Sequence, residues 1–125
     1  MKRKILIIED NEQNMYMLTY LLELNNYNVI QSYGGKEGIA LAELHKPDAI
    51  LLDIQLPEMD GYSVAVGIRK HSTLNTIPII AVTSYAMLGD KEKAFASGVN
   101  GYIEKPIDPY TFIAQMESFL NNNGN

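Results

Sequence analysis

Glu9, Asp10, Asp53, Thr83, Ser84 and Lys105 all lie at the ends of short apolar runs, and together their side chains suit phosphoryl chemistry. "ILII" (5–8) runs into Glu9 and Asp10, "AILL" (49–52) into Asp53, and "IIAV" (79–82) into Thr83 and Ser84. "YIEKP" (102–106) places Lys105 ahead of Pro106. Three carboxylates brought to one place repel one another, and their mutual field raises at least one pKa unless a cation neutralises them. Magnesium is the expected cation, because it takes hard oxygen ligands and keeps waters that a phosphate oxygen can replace. Lys105 offers a second positive charge. A carboxylate ringed by a metal, an ammonium and a hydroxyl can attack phosphorus and hold the resulting acyl phosphate. Asp53 alone ends the middle run, which makes it the candidate nucleophile. Each residue also has a plainer reading: Asp10 as a helix cap, Thr83 as a strand-end hydroxyl, Lys105 as a solvated charge. Taken jointly, four run ends with complementary chemistry weigh against coincidence.

The elements that must position these residues follow from periodicity. Continuous apolar runs at 5–8, 49–52 and 79–82 predict strands covered on both faces, as in a parallel sheet, since a sheet with one wet face would alternate. "NVIQS" (28–32) and "GYIE" (101–104) are more polar and predict edge strands. The segments between them have helical spacing. The first helix opens at Asp10 or Asn11 and presents Met15, Leu18 and Leu22, with Leu21 beside them. Further stripes are Ile39, Leu41, Ala42 and Leu44; Val64, Ala65 and Ile68; and Ala94 and Phe95 ahead of Gly98, a residue suited to a helix end. The last helix is predicted from "DPYTF", with Asp108 as cap and Pro109 at its first position, through Ile113, Met116 and Leu120. "NNNGN" (121–125) is expected to fray. The order is (βα)5, and the predicted fold is a doubly wound five-stranded parallel sheet in the order 2-1-3-4-5, the flavodoxin-like arrangement. Its ligand site falls beyond the carboxyl ends of the strands, at the switch between strands 1 and 3.

Composition narrows the function classes. The 125 residues predict one domain over 1–125 with no output domain, large enough to bury roughly 65 to 70% of the unfolded chain's surface. With no cysteine, disulfides, thiolate catalysis and cysteine-based zinc sites are excluded. "MKRKILII" is too short in its apolar part for a signal peptide or a membrane span, so a cytoplasmic protein with no membrane partner is expected. The net charge of −5 is uneven: residues 1–62 carry five basic and ten acidic side chains, residues 63–125 five of each. That balance disfavours nucleic acid, whose affinity comes mainly from phosphate neutralisation. His45 and His71 fall near helix ends and read as structural. The eight tyrosines and six methionines read as packing.

"EDN" after strand 1, "LLDIQLPEMDG" after strand 3, "VTS" after strand 4 and "EKP" after strand 5 make the chain similar to a response-regulator receiver domain of two-component signalling. Thr83 lies thirty residues beyond Asp53, and Lys105 twenty-two beyond Thr83, in keeping with that resemblance. "EDNEQN" resembles receivers of hybrid kinases and single-domain regulators of the DivK type more than the chemotaxis type. The resemblance implies that Asp53 accepts a phosphoryl group from a phosphohistidine on a sensor histidine kinase or a histidine phosphotransferase. It implies that Asp10, Asp53 and the Gln55 carbonyl ligate magnesium, with Glu9 acting largely through bound water. Thr83 and Lys105 would bond phosphoryl oxygens, with Ile54 and Ser84 further phosphoryl contacts. The Lys105–Pro106 bond is expected to be cis, and Tyr102 with Thr83 to form a switch that alters the face of helix 4, strand 5 and helix 5. Tyr102, Lys91 and Phe95 mark that face as a candidate surface for a protein effector. Gln55 and Tyr85 would flank the path of an attacking water, and a bulky Tyr85 predicts slow self-hydrolysis.

The expected function is a stand-alone, monomeric signalling switch, not an enzyme in the ordinary sense. One alternative is a relay intermediate that passes the phosphoryl group on to a histidine phosphotransferase. A more distant one is an aspartyl-phosphate phosphohydrolase, against which stands Gln55 where the haloacid dehalogenase type has a second aspartate. Flavin binding is disfavoured because acidic strand ends would repel the cofactor's phosphate.

Overall fold

Five buried or half-buried strands alternate with helices along the chain. The computed structural model describes residues 2–84 and 89–123. In order these are β1 (Lys4–Ile8), α1 (Glu12–Leu24), β2 (Asn28–Ser32), α2 (Gly35–His45), β3 (Ala49–Asp53), α3 (Gly61–Arg69), β4 (Ile79–Thr83), α4 (Asp90–Ser97), β5 (Gly101–Glu104) and α5 (Phe112–Asn123). A short 3-10 turn over Ser72–Leu74, which no apolar period announces, lies between α3 and β4. All strand pairs are parallel and the sheet order is β2-β1-β3-β4-β5, as the run pattern predicts.

Apolar runs become central strands because alternate side chains must be buried on opposite faces. Ile5, Ile7, Leu51 and Val82 point to one side, where Met15, Leu18 and Leu22 of α1 and Phe112, Met116 and Leu120 of α5 cover them. Leu6, Ile8, Ile50, Leu52 and Ala81 point to the other, against Ala42 of α2, Val64, Ala65 and Ile68 of α3, and Ala94 of α4. At about 25 cal/mol per Å2, each fully buried Leu or Ile stabilises by roughly 1.5 to 3 kcal/mol relative to exposure. Two cores against one sheet leave its carboxyl edge as the place where chemistry can gather.

The helix ends differ from expectation in instructive ways. Asn11, not Asp10, caps α1: its side chain accepts from the Asn14 amide at 2.8 Å. This accounts for the asparagine at position 11 and leaves the Asp10 carboxylate free of capping. Leu44 is predicted on the buried stripe of α2, but it is 73% exposed: two residues beyond buried Ala42 it lies about 200° round the helix, on the opposite side. The last helix starts at Phe112, later than expected. The Asp108 carboxylate accepts from the Tyr110 amide at 2.9 Å and its carbonyl from the Thr111 and Phe112 amides, so 109–111 form a turn before the helix. At the other end α5 continues through Asn123, into the segment expected to fray.

Candidate functional site

The pairing register sets the site. Ile8 pairs with Leu52 and Asp53 with Val82, so Glu9 and Asp53 leave adjacent central strands at the same level. Thr83, paired with Glu104, ends β4 beside them. Glu9, Asp53 and Thr83 are buried, at 1%, 4% and 1% exposure, whereas Asp10 is exposed. One carboxylate oxygen from each of Glu9, Asp10 and Asp53 lies within 4.8 Å of the others.

Lys105 reaches this group from β5. Its Nζ lies 3.0 Å from Glu9 Oε1 and 3.5 Å from Asp53 Oδ1. The other Glu9 oxygen accepts from the Asn11 amide at 3.1 Å, so both its oxygens are held in place. No local signal in the sequence announces this direct pairing of Glu9 with Lys105, because the two residues are 96 apart. The Lys105–Pro106 peptide bond is cis.

Asp53 sits where opposing influences meet. Burial pushes its carboxyl above the ordinary range; the Gln55 amide, 3.0 Å from Oδ1, pulls the other way; the Glu9 charge pushes up again; and Lys105 pulls down. The net direction is upward. A buried carboxylate beside another carboxylate stays charged at neutral pH only with positive charge close by.

The loop after Asp53 is built around Gly61. Its amide donates to the Ile54 carbonyl at 2.9 Å, and a Cβ there would lie 2.5 Å from Ile54 Cα and 2.7 Å from the Asp53 carbonyl oxygen. Only glycine lets α3 start so close to the backbone that carries Asp53. Asp60 caps that helix, accepting from the Ser63 amide at 2.9 Å. Ile54 is buried, and its amide donates to the Val82 carbonyl at 3.3 Å. The Gln55 side chain crosses to β4: its Oε1 accepts from Ser84 Oγ at 2.8 Å and from the Ser84 amide at 3.3 Å. The sequence offers no signal for this contact either, since 29 residues separate the partners.

The remaining candidates lie outside this group. Tyr102 is half-buried on β5, packed against the core that α3 and α4 share, and its hydroxyl pKa is raised by burial first and by Asp90 second. Lys91 and Phe95 are exposed on α4. Tyr85 lies outside the described residues. His45 closes α2, where its carbonyl accepts from Lys4 Nζ at 2.8 Å, and His71 Nδ1 is 3.3 Å from Glu43 Oε2. Neither histidine joins the strand-end group. Among the described residues, no helix is long and apolar enough to cross a membrane.

Three hard oxygen donors beside an ammonium fit a divalent cation of the magnesium type. Known proteins resemble this chain in sequence and in fold. Residues 5–117 match the family model described as the response regulator receiver domain. The chain is 42% identical over 120 residues to the polar-differentiation response regulator DivK of Brucella anthropi, covering 96% of this chain and 98% of the relative. Among solved structures it is similar to the receiver domain of the Pseudomonas aeruginosa sensor histidine kinase PA1611, with a magnesium ion coordinated in that protein's active-site cleft. That likeness has a TM-score of 0.89 at 32% identity and covers 97% of this chain and 99% of the other. Vibrio cholerae chemotaxis protein CheY4 superposes with a TM-score of 0.91 at 25% identity, over 95% of this chain and 99% of that one. The chain belongs to the response-regulator receiver family of two-component signalling.

Proposed function

We propose that Asp53 accepts a phosphoryl group from a phosphohistidine on a histidine kinase or histidine phosphotransferase, and that this changes the protein's affinity for a protein effector. The observation that carries the proposal is the meeting of Glu9, Asp10 and Asp53 with the Lys105 ammonium at the carboxyl edge of the sheet. In the transfer, an Asp53 oxygen forms the bond to phosphorus while the donor's N–P bond breaks and the imidazole leaves with that electron pair. Glu9, Asp10 and Asp53, with the Gln55 carbonyl, would hold magnesium. The metal's part is to screen the carboxylates from the incoming phosphoryl oxygens and to polarise them.

The chain's own residues do the rest. Burial of Asp53 on a rigid central strand fixes the nucleophile and keeps bulk water from most of its surface. Lys105 stands 3.5 Å from Asp53, placed to take a phosphoryl oxygen, and Thr83 offers a hydroxyl from the next strand end. New charge-assisted bonds at Thr83 and Lys105 would then bias β5, where Tyr102 lies, and with it the face of α4, β5 and α5. Mass spectrometry of the intact protein after incubation with acetyl phosphate and magnesium tests the proposal. One added phosphoryl group is expected on wild type and none on Asp53→Asn; labelling of the variant to the same extent would defeat it.

A further inference from the structure

Neither metal binding nor phosphoryl transfer, as described so far, employs the Gln55 side chain. Its carbonyl oxygen takes both hydrogens that Ser84 can offer, from Oγ at 2.8 Å and from the backbone amide at 3.3 Å. The amide identifies the atom, because a backbone N–H can only donate and so must face the oxygen of Gln55, not its nitrogen. Ser84 immediately follows Thr83 at the end of β4, and Gln55 follows Asp53 by two residues, so this contact bridges the two strand ends between which a phosphoryl group on Asp53 must fit.

We propose that Gln55 is a positioning residue: its side-chain carbonyl stands in for a phosphoryl oxygen on Ser84, holding the β4 end in its unphosphorylated arrangement until the phosphoryl group takes the Ser84 amide. This rests on Asp53 being the phosphoacceptor. A phosphoryl oxygen carries more charge than an amide oxygen and makes the stronger bond with the same donor. The exchange is therefore favourable, but it is opposed by whatever the Gln55 bonds contribute. Two neutral hydrogen bonds, one of them long and both near solvent, restrain the loop by an amount that corresponds to about three- to tenfold in an equilibrium constant.

The backbone groups of residue 55 take no part in its contact with Ser84, which is made by the side chain alone. The Gln55 amide donates to Asp53, and its carbonyl is the atom available to a metal, so Gln55→Met keeps both while removing the acceptor that Ser84 uses. Met also preserves length and flexibility. The hydroxyl arm of the contact is removed separately by Ser84→Ala.

The test measures binding of beryllofluoride, an unreactive phosphoryl mimic, with magnesium, by titration followed in amide NMR spectra. Because no bond is hydrolysed, any part that Gln55 plays in steering an attacking water does not enter. Gln55→Met is expected to bind the mimic about three- to tenfold more tightly than wild type. In the metal-free, mimic-free protein, its Ser84 amide proton should shift upfield as its hydrogen bond is lost. Ser84→Ala should give a smaller gain, and the double variant no more than Gln55→Met alone. Unchanged or weaker binding by Gln55→Met, or an unmoved Ser84 amide in the free protein, overturns the proposal. If wild type binds no mimic and gains no phosphoryl group, the phosphoacceptor reading itself falls, and this proposal with it.

Discussion

The two edges of the sheet each carry a polar cluster, and the clusters are opposite in design. At the amino edge, Arg69 of α3 reaches under β4 and β5. Its Nε donates to the Gly98 carbonyl at 3.0 Å, Nη1 to the Leu74 carbonyl at 2.9 Å and Nη2 to Asn100 Oδ1 at 2.7 Å. Asn100 Oδ1 also accepts from the Ile79 amide at 2.8 Å. The charge there is spread over neutral acceptors that are already in place, so the cluster is complete. At the carboxyl edge three carboxylates cluster, two of them against the Lys105 ammonium, and the balance remains negative. A complete cluster locks the strands together, whereas an unbalanced one costs stability until a cation arrives.

The comparison breaks most readily at Arg69. Arg69→Ala should lower unfolding stability by about 3 kcal/mol, since it takes a donor from the Gly98 and Leu74 carbonyls, leaves Asn100 Oδ1 with the Ile79 amide, and removes the stem packed against Gly98. Labelling of the folded variant by acetyl phosphate should not change. Urea unfolding that shows a loss below about 1 kcal/mol would mean that the amino-edge cluster is ornamental to the fold.

Tyr27, just ahead of β2 at the same edge, sharpens the contrast through pH. Burial and the hydrogen bond from its hydroxyl to Glu117 push its pKa from 10.0 up to about 12. A raised pKa means that this contact's stabilisation is fully present below pH 10 and is lost as pH climbs towards 12. Relative to Tyr27→Phe, wild type should therefore lose about 2 kcal/mol over that interval, which chemical unfolding at a series of pH values can follow. Parallel pH profiles for the two proteins would contradict this.

The smallest effect is expected at the carboxyl edge and has the opposite sign. In metal-free buffer at neutral pH, Asp53→Asn should raise stability by about 1 kcal/mol, because it removes a buried carboxylate from beside Glu9. Adding magnesium should stabilise wild type and leave the variant nearly unmoved, as thermal unfolding would register. A variant less stable than wild type without metal would show that the carboxyl edge is balanced after all.

Much of the scaffold was legible because its signals are local. A parallel strand covered on both faces must be apolar throughout, so 5–8, 49–52 and 79–82 declared themselves, and their order placed Glu9, Asp53 and Thr83 along one edge. Helix ends were read less well. Asp108 both caps and turns the chain, and a turn over 109–111 has the same composition as a first helical turn. Arg69 passed unnoticed, since an arginine in the last turn of an amphipathic helix ordinarily points to water.

The sequence by itself determined the strand and helix alternation, the sheet order and the residue types brought to each strand end, because periodicity and run length are properties of neighbours along the chain. Tertiary structure alone decided which atoms meet: Lys105 on Glu9 more closely than on Asp53, Gln55 on Ser84, Arg69 on three separate acceptors. Those contacts join residues far apart in the chain, and their distances depend on how two cores, each packed against one face of the sheet, set the strands and loops relative to one another. Periodicity carries no information about that setting.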